Sequence, residues 1–271
     1  MSASPPPAPP PETSQLQYWN SENAVAYYTY DHRPVFLYYP ELRLLGMFQD
    51  RWPQMSVLDI GVGAGRTTQY FAELAGTYVG IDFSQGMVDR CQQRFAGRWP
   101  GASFQQGDAT DLHQHADNSY DLVLFSFNGV DCMSPEKREM ALKEMQRVCK
   151  PGGWVVFSSH NVYSIPLIPK FEFHPHPMRF LEEARRWWSV KQKNPPVEQV
   201  MTTPYVRYYD ATIGDNYLIF SRPEVQARDL QALSFAEVRR YANKDGRELI
   251  TDMDGQHPSV SWVYYFCRKQ S

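Results

Sequence analysis

The chain has no run of eighteen apolar residues and no basic stretch leading into an apolar one at its start, so the sequence predicts neither a membrane-spanning helix nor a signal peptide. Net charge is small as well: 27 Lys and Arg against 30 Asp and Glu leave −3, which offers no electrostatic footprint for a nucleic acid. Cysteine is scarce, and the four present, Cys91, Cys132, Cys149 and Cys267, lack paired spacing. They read as buried thiols in a reducing cytoplasm, not as a disulfide framework, and a cytoplasmic location is the expectation. Metal ligands at characteristic spacing are also missing. His113 with His115, and His174 with His176, form pairs without the carboxylates or cysteines a site would need, so no metal is expected. What is present is 271 residues, 42% hydrophobic and 14% aromatic, enough to bury one sizeable core.

One stretch carries most of the chemistry. Val57-Leu58-Asp59-Ile60-Gly61-Val62-Gly63-Ala64-Gly65-Arg66-Thr67-Thr68 reads as an apolar strand, three alternating glycines and a helix start. Glycine at every second position permits a tight turn with positive φ and removes the Cβ atoms that would block a ligand. The helix behind it turns free N–H groups and its positive dipole end toward that ligand. A dinucleotide fingerprint is spaced G-x-G-x-x-G, whereas here the third glycine comes one place early, Arg66 fills the later slot and Asp59 precedes the first glycine. That spacing counts against a nicotinamide-dependent oxidoreductase. Further on, Tyr78-Val79-Gly80-Ile81-Asp82 is a short apolar strand ending in an acid, roughly the separation at which a carboxylate meets a ribose diol.

The D-x-G-x-G-x-G turn resembles motif I of the class I S-adenosylmethionine-dependent methyltransferases, and four later segments match that family in order. The resemblance implies that Asp82 holds the ribose, that Phe83 lies along the adenine, and that Ser84-Gln85-Gly86-Met87-Val88 continues into a helix with Met87 near the adenine. Within Phe104 to Leu112 it places Asp108 at the adenine amino group. Ser119 to Asn128 is similar to the fourth strand, whose carboxyl end, with Phe125, passes under the transferable methyl group. Cys149-Lys150-Pro151-Gly152-Gly153-Trp154 matches the family's turn into its fifth strand. Residues 55 to 160 carry the likeness closely. S-adenosylmethionine is the implied cofactor, with S-adenosylhomocysteine as product, and Asp59, Gly61, Gly63, Gly65, Asp82, Phe83, Met87, Asp108, Ala109 and Phe125 are the implied binding residues.

Breaks in pattern suggest the organisation. Residues 1 to 14 hold six prolines and read as a disordered tail. Residues 15 to 50 are rich in aromatics, among them Tyr18, Trp19, Tyr27 and Tyr28, and suggest a helical cap. Strand and helix alternate from Val57 to Phe157, the mark of a parallel sheet with helices on both faces. Ser134 and Pro135 announce a helix with Ala141, Leu142, Met145, Val148 and Cys149 on one face. Residues 161 to 222 break the pattern around an amphipathic helix near Arg179 to Gln192, where family members insert a lid; a helix to Leu233 and strands at 235–242 and 260–267 follow. The fold expected is therefore α/β: a Rossmann-like, seven-stranded, mostly parallel sheet over residues 51–271, its last strand antiparallel.

Candidates for the acceptor side are fewer. Methyl transfer from a sulfonium asks for alignment and desolvation, and a hydroxyl or ammonium nucleophile must also lose a proton. His160, at the expected carboxyl end of the fifth strand, can take it. Asn128 and Asp131, just past the fourth strand, can orient the nucleophile. Tyr27 and Tyr28, with Tyr205 and Tyr208, can enclose a substrate amine, or can equally pack the lid. Asn194-Pro195-Pro196-Val197 reads as a loop breaker, and the basic residues around Trp187 and Trp188 as the solvated face of a lid helix. The function expected is methylation of a small molecule at oxygen or nitrogen, with no nucleic-acid or membrane partner. A transfer-RNA or protein methyltransferase, an NAD-dependent oxidoreductase and a non-catalytic cofactor-binding protein stay open as alternatives.

Overall fold

A computed structural model describes residues 18–29, 36–209, 211 and 217–271. The proline-rich segment 1–14 and the side chain of Tyr27 lie outside the described residues. The first helices are α1 (Glu22–Thr29) and α2 (Tyr39–Phe48). Strand β1 (Ser56–Ile60) runs through the glycine turn into α3 (Thr68–Leu74), β2 (Thr77–Asp82), α4 (Gln85–Phe95) and β3 (Ala102–Gln106). Then come β4 (Tyr120–Phe125), α5 (Pro135–Val148) and the long β5 (Cys149–Asn161). The helix α6 (Pro177–Lys193) precedes a hairpin, β6 (Tyr205–Tyr209) and β7 (Tyr217–Ser221). Helix α7 (Pro223–Ala232) and strands β8 (Phe235–Ala242) and β9 (Trp262–Lys269) complete the chain.

The sheet has nine strands among the described residues, not the seven expected. Seven of them run β3-β2-β1-β4-β5-β9-β8, with β9 antiparallel to both neighbours. The other two are the β6–β7 hairpin, which interrupts the segment expected to be a lid. Neither strand alternates in burial, so no period-2 pattern marked the hairpin in the sequence. The hairpin's place follows from the length of β5: residues 154–157 pair with β4, and only His160 and Asn161, beyond the end of β4, pair with Phe220 and Ser221 of β7. β7 thus occupies the edge that β4 vacates, at the carboxyl end of the sheet where open α/β folds bind ligands.

Alternation along the strands divides the core into two layers. Leu58, Val123, Val155 and Phe157 pack on one face with Ala141, Leu142 and Met145 of α5 and Leu230 of α7. Val57, Leu122, Leu124 and Val156 pack on the other with Leu44 and Phe48 of α2, Phe71 of α3 and Phe95 of α4. Helices therefore cover both faces. Two of these helices are capped as their sequences require: Ser84 Oγ accepts from the Met87 N–H at 3.3 Å, and Ser134 Oγ from the Lys137 N–H at 3.4 Å. All four cysteines are free, and burial pushes the Cys91 and Cys149 thiols up to about 12, which makes them inert packing groups. No helix among the described residues is long and apolar enough to cross a membrane.

Candidate active site

A single cavity of about 1030 Å³ opens along the carboxyl ends of β1 to β5. It stands at the upper end of the ~300–1,000 Å³ usual for ligand sites. At one end stands the glycine turn. Gly61 and Gly63 have φ of 63° and 56°, the left-handed region that glycine enters without strain. A Cβ on Gly61 would stand 2.8 Å from Phe125 Cε2, whereas one on Gly63 would meet nothing within 4 Å. The first glycine lets the turn close on Phe125, and the second leaves bare backbone beside the cavity. Gly65 plays another part: a Cβ there would come within 2.3 Å of Phe95, so it packs the turn on α4 and does not line the cavity.

Three acids stand around this turn. Asp82, ending β2, accepts the Gly63 N–H through Oδ2 at 2.8 Å and the Ser84 N–H through Oδ1 at 2.9 Å. Burial raises its carboxyl to about 6, with those two hydrogen bonds pulling the other way. Asp59 Oδ2 accepts from Thr67 Oγ1 and Tyr78 OH, both at 2.6 Å, and burial raises this carboxyl too, to about 6. Asp108 Oδ1 accepts the backbone N–H and the hydroxyl of Thr110, each at 2.8 Å. Phe83, Met87, Ala109 and Phe125 complete this end, with Trp19 and Tyr28 arriving from the N-terminal segment.

The other end holds a buried polar chain. After β4, Phe127 and Asn128 both adopt left-handed φ, 61° and 60°, a conformation unusual for phenylalanine that turns both residues to the cavity. Asn128 Nδ2 lies 3.4 Å from His160 Nε2, and its buried Oδ1 has no partner among the described residues. On the far side of the ring, His160 Nδ1 is 2.8 Å from Asp131 Oδ2. The carboxylate can only accept, so Nδ1 carries the proton and Nε2 presents its lone pair beside the cavity. Asp131 is fixed in turn: its Oδ1 accepts from Ser159 Oγ at 2.8 Å and lies 3.4 Å from Arg138 Nε. The imidazole packs on Phe220 at 4.8 Å and on Trp262 at 5.9 Å between ring centres.

Of the expected acceptor-side residues, His160, Asn128 and Tyr28 line the cavity, and Asp131 supports His160 from behind. Two do not reach it, a correction with a packing cause. Tyr208 is buried beside Phe220 in a separate apolar cluster with Val162, Val190 and Val200. Tyr205 hydrogen-bonds Asp229 on α7 while Arg138 covers its ring at 5.4 Å. Sequence reasoning also missed Glu41. Arg66 forms two hydrogen bonds to it, at 2.6 and 2.7 Å, and a third to Ser126 Oγ at 2.9 Å. Burial alone would raise the Glu41 carboxyl; the Arg66 charge and the Ser126 and Tyr38 donors outweigh it and hold it below its usual range. Arg66 also lies over Tyr38 and Phe127, 5.3 and 5.4 Å from their ring centres, so this pair locks α2 against the turn and β4. Arg66, in place of the dehydrogenase glycine, was the one visible hint of it.

This architecture is the class I, Rossmann-like fold of S-adenosylmethionine-dependent methyltransferases. An enzyme of that class from Mesorhizobium loti aligns at a TM-score of 0.57 and 16% identity, covering 85% of this chain and 98% of its own. The protein of the DhpI–SAM–HEP complex aligns at 0.54 and 18%, covering 95% and 97%. Residues 57–153 match the family model for a methyltransferase domain. A demethylmenaquinone methyltransferase of Paenarthrobacter aurescens is 38% identical over 113 residues, 42% of this chain and 40% of that protein. One from Beutenbergia cavernae is 32% identical over 152 residues, 50% and 60% of the two chains. The match thus spans two fifths of the first relative's length.

Proposed function

We propose that this protein transfers a methyl group from S-adenosylmethionine to a small, largely aromatic or apolar acceptor whose nucleophilic atom sits between Asn128 and His160. The observation that carries the reading is the continuity of the cavity, with the glycine turn and three acids at one end and the Asp131–His160 pair at the other. The residues present suit the cofactor. Gly63 leaves the space a Cβ would fill, and Asp82 is already oriented by two backbone donors, with lone pairs left for a ribose diol. In this reading Asp59, Gly61, Asp108, Ala109, Phe83, Met87 and Phe125 complete the cofactor end. Bound S-adenosylmethionine supplies the electrophilic methyl carbon.

The chain's own residues do the rest. His160 Nε2 takes the acceptor's proton, and Asp131 stabilises the imidazolium that forms. The unpartnered Asn128 Oδ1 accepts a hydrogen bond from the acceptor and so orients it. Phe127, Phe220 and Trp262 exclude water, and holding both reactants in one cavity accounts for up to ~7–11 kcal/mol of barrier lowering. The N-terminal segment from residue 15 to 50 and the segment 161–222 serve as cap and lid over residues 51–271. Oxygen or nitrogen is the atom a histidine base suits best. A ring carbon of a hydroxylated aromatic is the second reading, favoured by the names of the matched relatives.

The test is mass spectrometry of small-molecule extracts incubated with the full chain and trideuteromethyl S-adenosylmethionine, followed by NMR of the shifted product. A new O–CH3 or N–CH3 signal supports the first reading, and C–CH3 the second. Absence of S-adenosylhomocysteine binding would overturn both.

A further inference from the structure

The acids that line the cavity, Asp59, Asp82 and Asp108, stand at the carboxyl ends of β1 to β3; the lining cations are Arg66, which Glu41 pairs, Lys137 and Arg207. Arg207 projects from β6, opposite Ile219 of β7, and is half-buried. Its guanidinium lies 5.4 Å from the centre of the Tyr217 ring, and no carboxylate of the described residues pairs with it. Several other covered arginines have a carboxylate partner. Arg66 pairs with Glu41, Arg138 with Asp131, Arg147 with Glu144, Arg186 with Glu183 and Arg222 with Glu224. Arg207 thus lines the cavity with no carboxylate partner among the described residues.

We propose that Arg207 is an anion-recognition residue and that the acceptor carries a carboxylate on its aromatic or apolar frame. A guanidinium presents two parallel N–H donors that match a carboxylate, and Tyr217 beneath it keeps the fork flat against the cavity wall. Lys137, at the start of α5, adds a second positive charge on the same side. The β6–β7 hairpin, inserted beyond the end of β4, is thereby the specificity element. This inference rests on the reading of the cavity as a methyl-transfer site, and its test separates the two.

Hydroxybenzoates, hydroxynaphthoates and their matched carboxamides are titrated by calorimetry into the full chain, with and without S-adenosylhomocysteine. At least one carboxylate is expected to bind about tenfold or more tightly than its amide, a difference of about 1.4 kcal/mol. Arg207→Gln should bring the pair within about twofold while leaving S-adenosylhomocysteine affinity and the circular-dichroism melt unchanged, and Arg207→Lys should keep part of the preference. The proposal is overturned if no carboxylate binds, if amides bind as tightly across the set, or if Arg207→Gln leaves the ratio intact. Loss of S-adenosylhomocysteine binding with the carboxylate preference intact would sink the methyl-transfer reading alone.

Discussion

Asp59→Asn should make the ligand-free protein more stable in mild alkali while leaving it nearly unchanged in acid. Asp59 is buried beneath the glycine turn, and burial raises its carboxyl to about 6 against the pull of Thr67, Tyr78 and the nearby Arg66 charge. An aspartate in the unfolded chain titrates near ~3.9, so between those values the folded state binds the extra proton. The resulting stability is fully present below about pH 3.9 and is lost as pH rises through about 6. Two pH units correspond to about 3 kcal/mol by about pH 8. Asparagine Oδ1 can accept the same two hydroxyls, now at 2.6 Å, and has no charge to desolvate. Urea unfolding at about pH 4, 6 and 8 should show the variant's advantage growing from near zero to about 3 kcal/mol. An advantage independent of pH, or a loss of stability at the highest pH, would refute the argument. The variant should also bind S-adenosylhomocysteine less well, because the carboxylate kept at this cost stands beside the cofactor end.

Three other outcomes are expected. Glu41→Gln leaves the Arg66 guanidinium buried without its counter-charge and should destabilise the fold by about 3–5 kcal/mol, read by thermal or urea denaturation; a change under about 1 kcal/mol would show the pair to be dispensable. Asp82→Ala should weaken S-adenosylhomocysteine binding by more than about 1 kcal/mol in calorimetry, and unchanged affinity would remove the ribose assignment. His160→Ala should lower turnover by about 10²–10⁴-fold with cofactor affinity preserved, whereas full activity would dismiss it as the base.

The glycine-turn end of the cavity was legible because its signals are local. Asp59 to Thr68 is one strand, one turn and one helix start, and the φ values that the glycine spacing demands are those the backbone adopts at Gly61 and Gly63. Asp82 ends β2 and Asp108 stands two residues past the end of β3, so strand order alone brings them to the same edge. Even here the packing of Gly65 was not legible, because the Phe95 ring that fills its Cβ space comes from another helix. The acceptor end was legible only in part. His160 was found from its place at the end of β5, but Tyr205 and Tyr208 were chosen by residue type, and in the hairpin they face Asp229 and Phe220, not the cavity.

By itself the sequence determined the class of domain, the glycine turn and the acids around it, since these depend on backbone conformation and on a periodicity written into neighbouring residues. Tertiary structure alone decided which side chains meet at the acceptor. Glu41 reaches Arg66 across 25 residues and Asp131 reaches His160 across 29, while Arg207 reaches the cavity only because β7 pairs with the two residues of β5 that β4 leaves free. Such contacts are set by strand register and by competition for burial, and no local pattern encodes either.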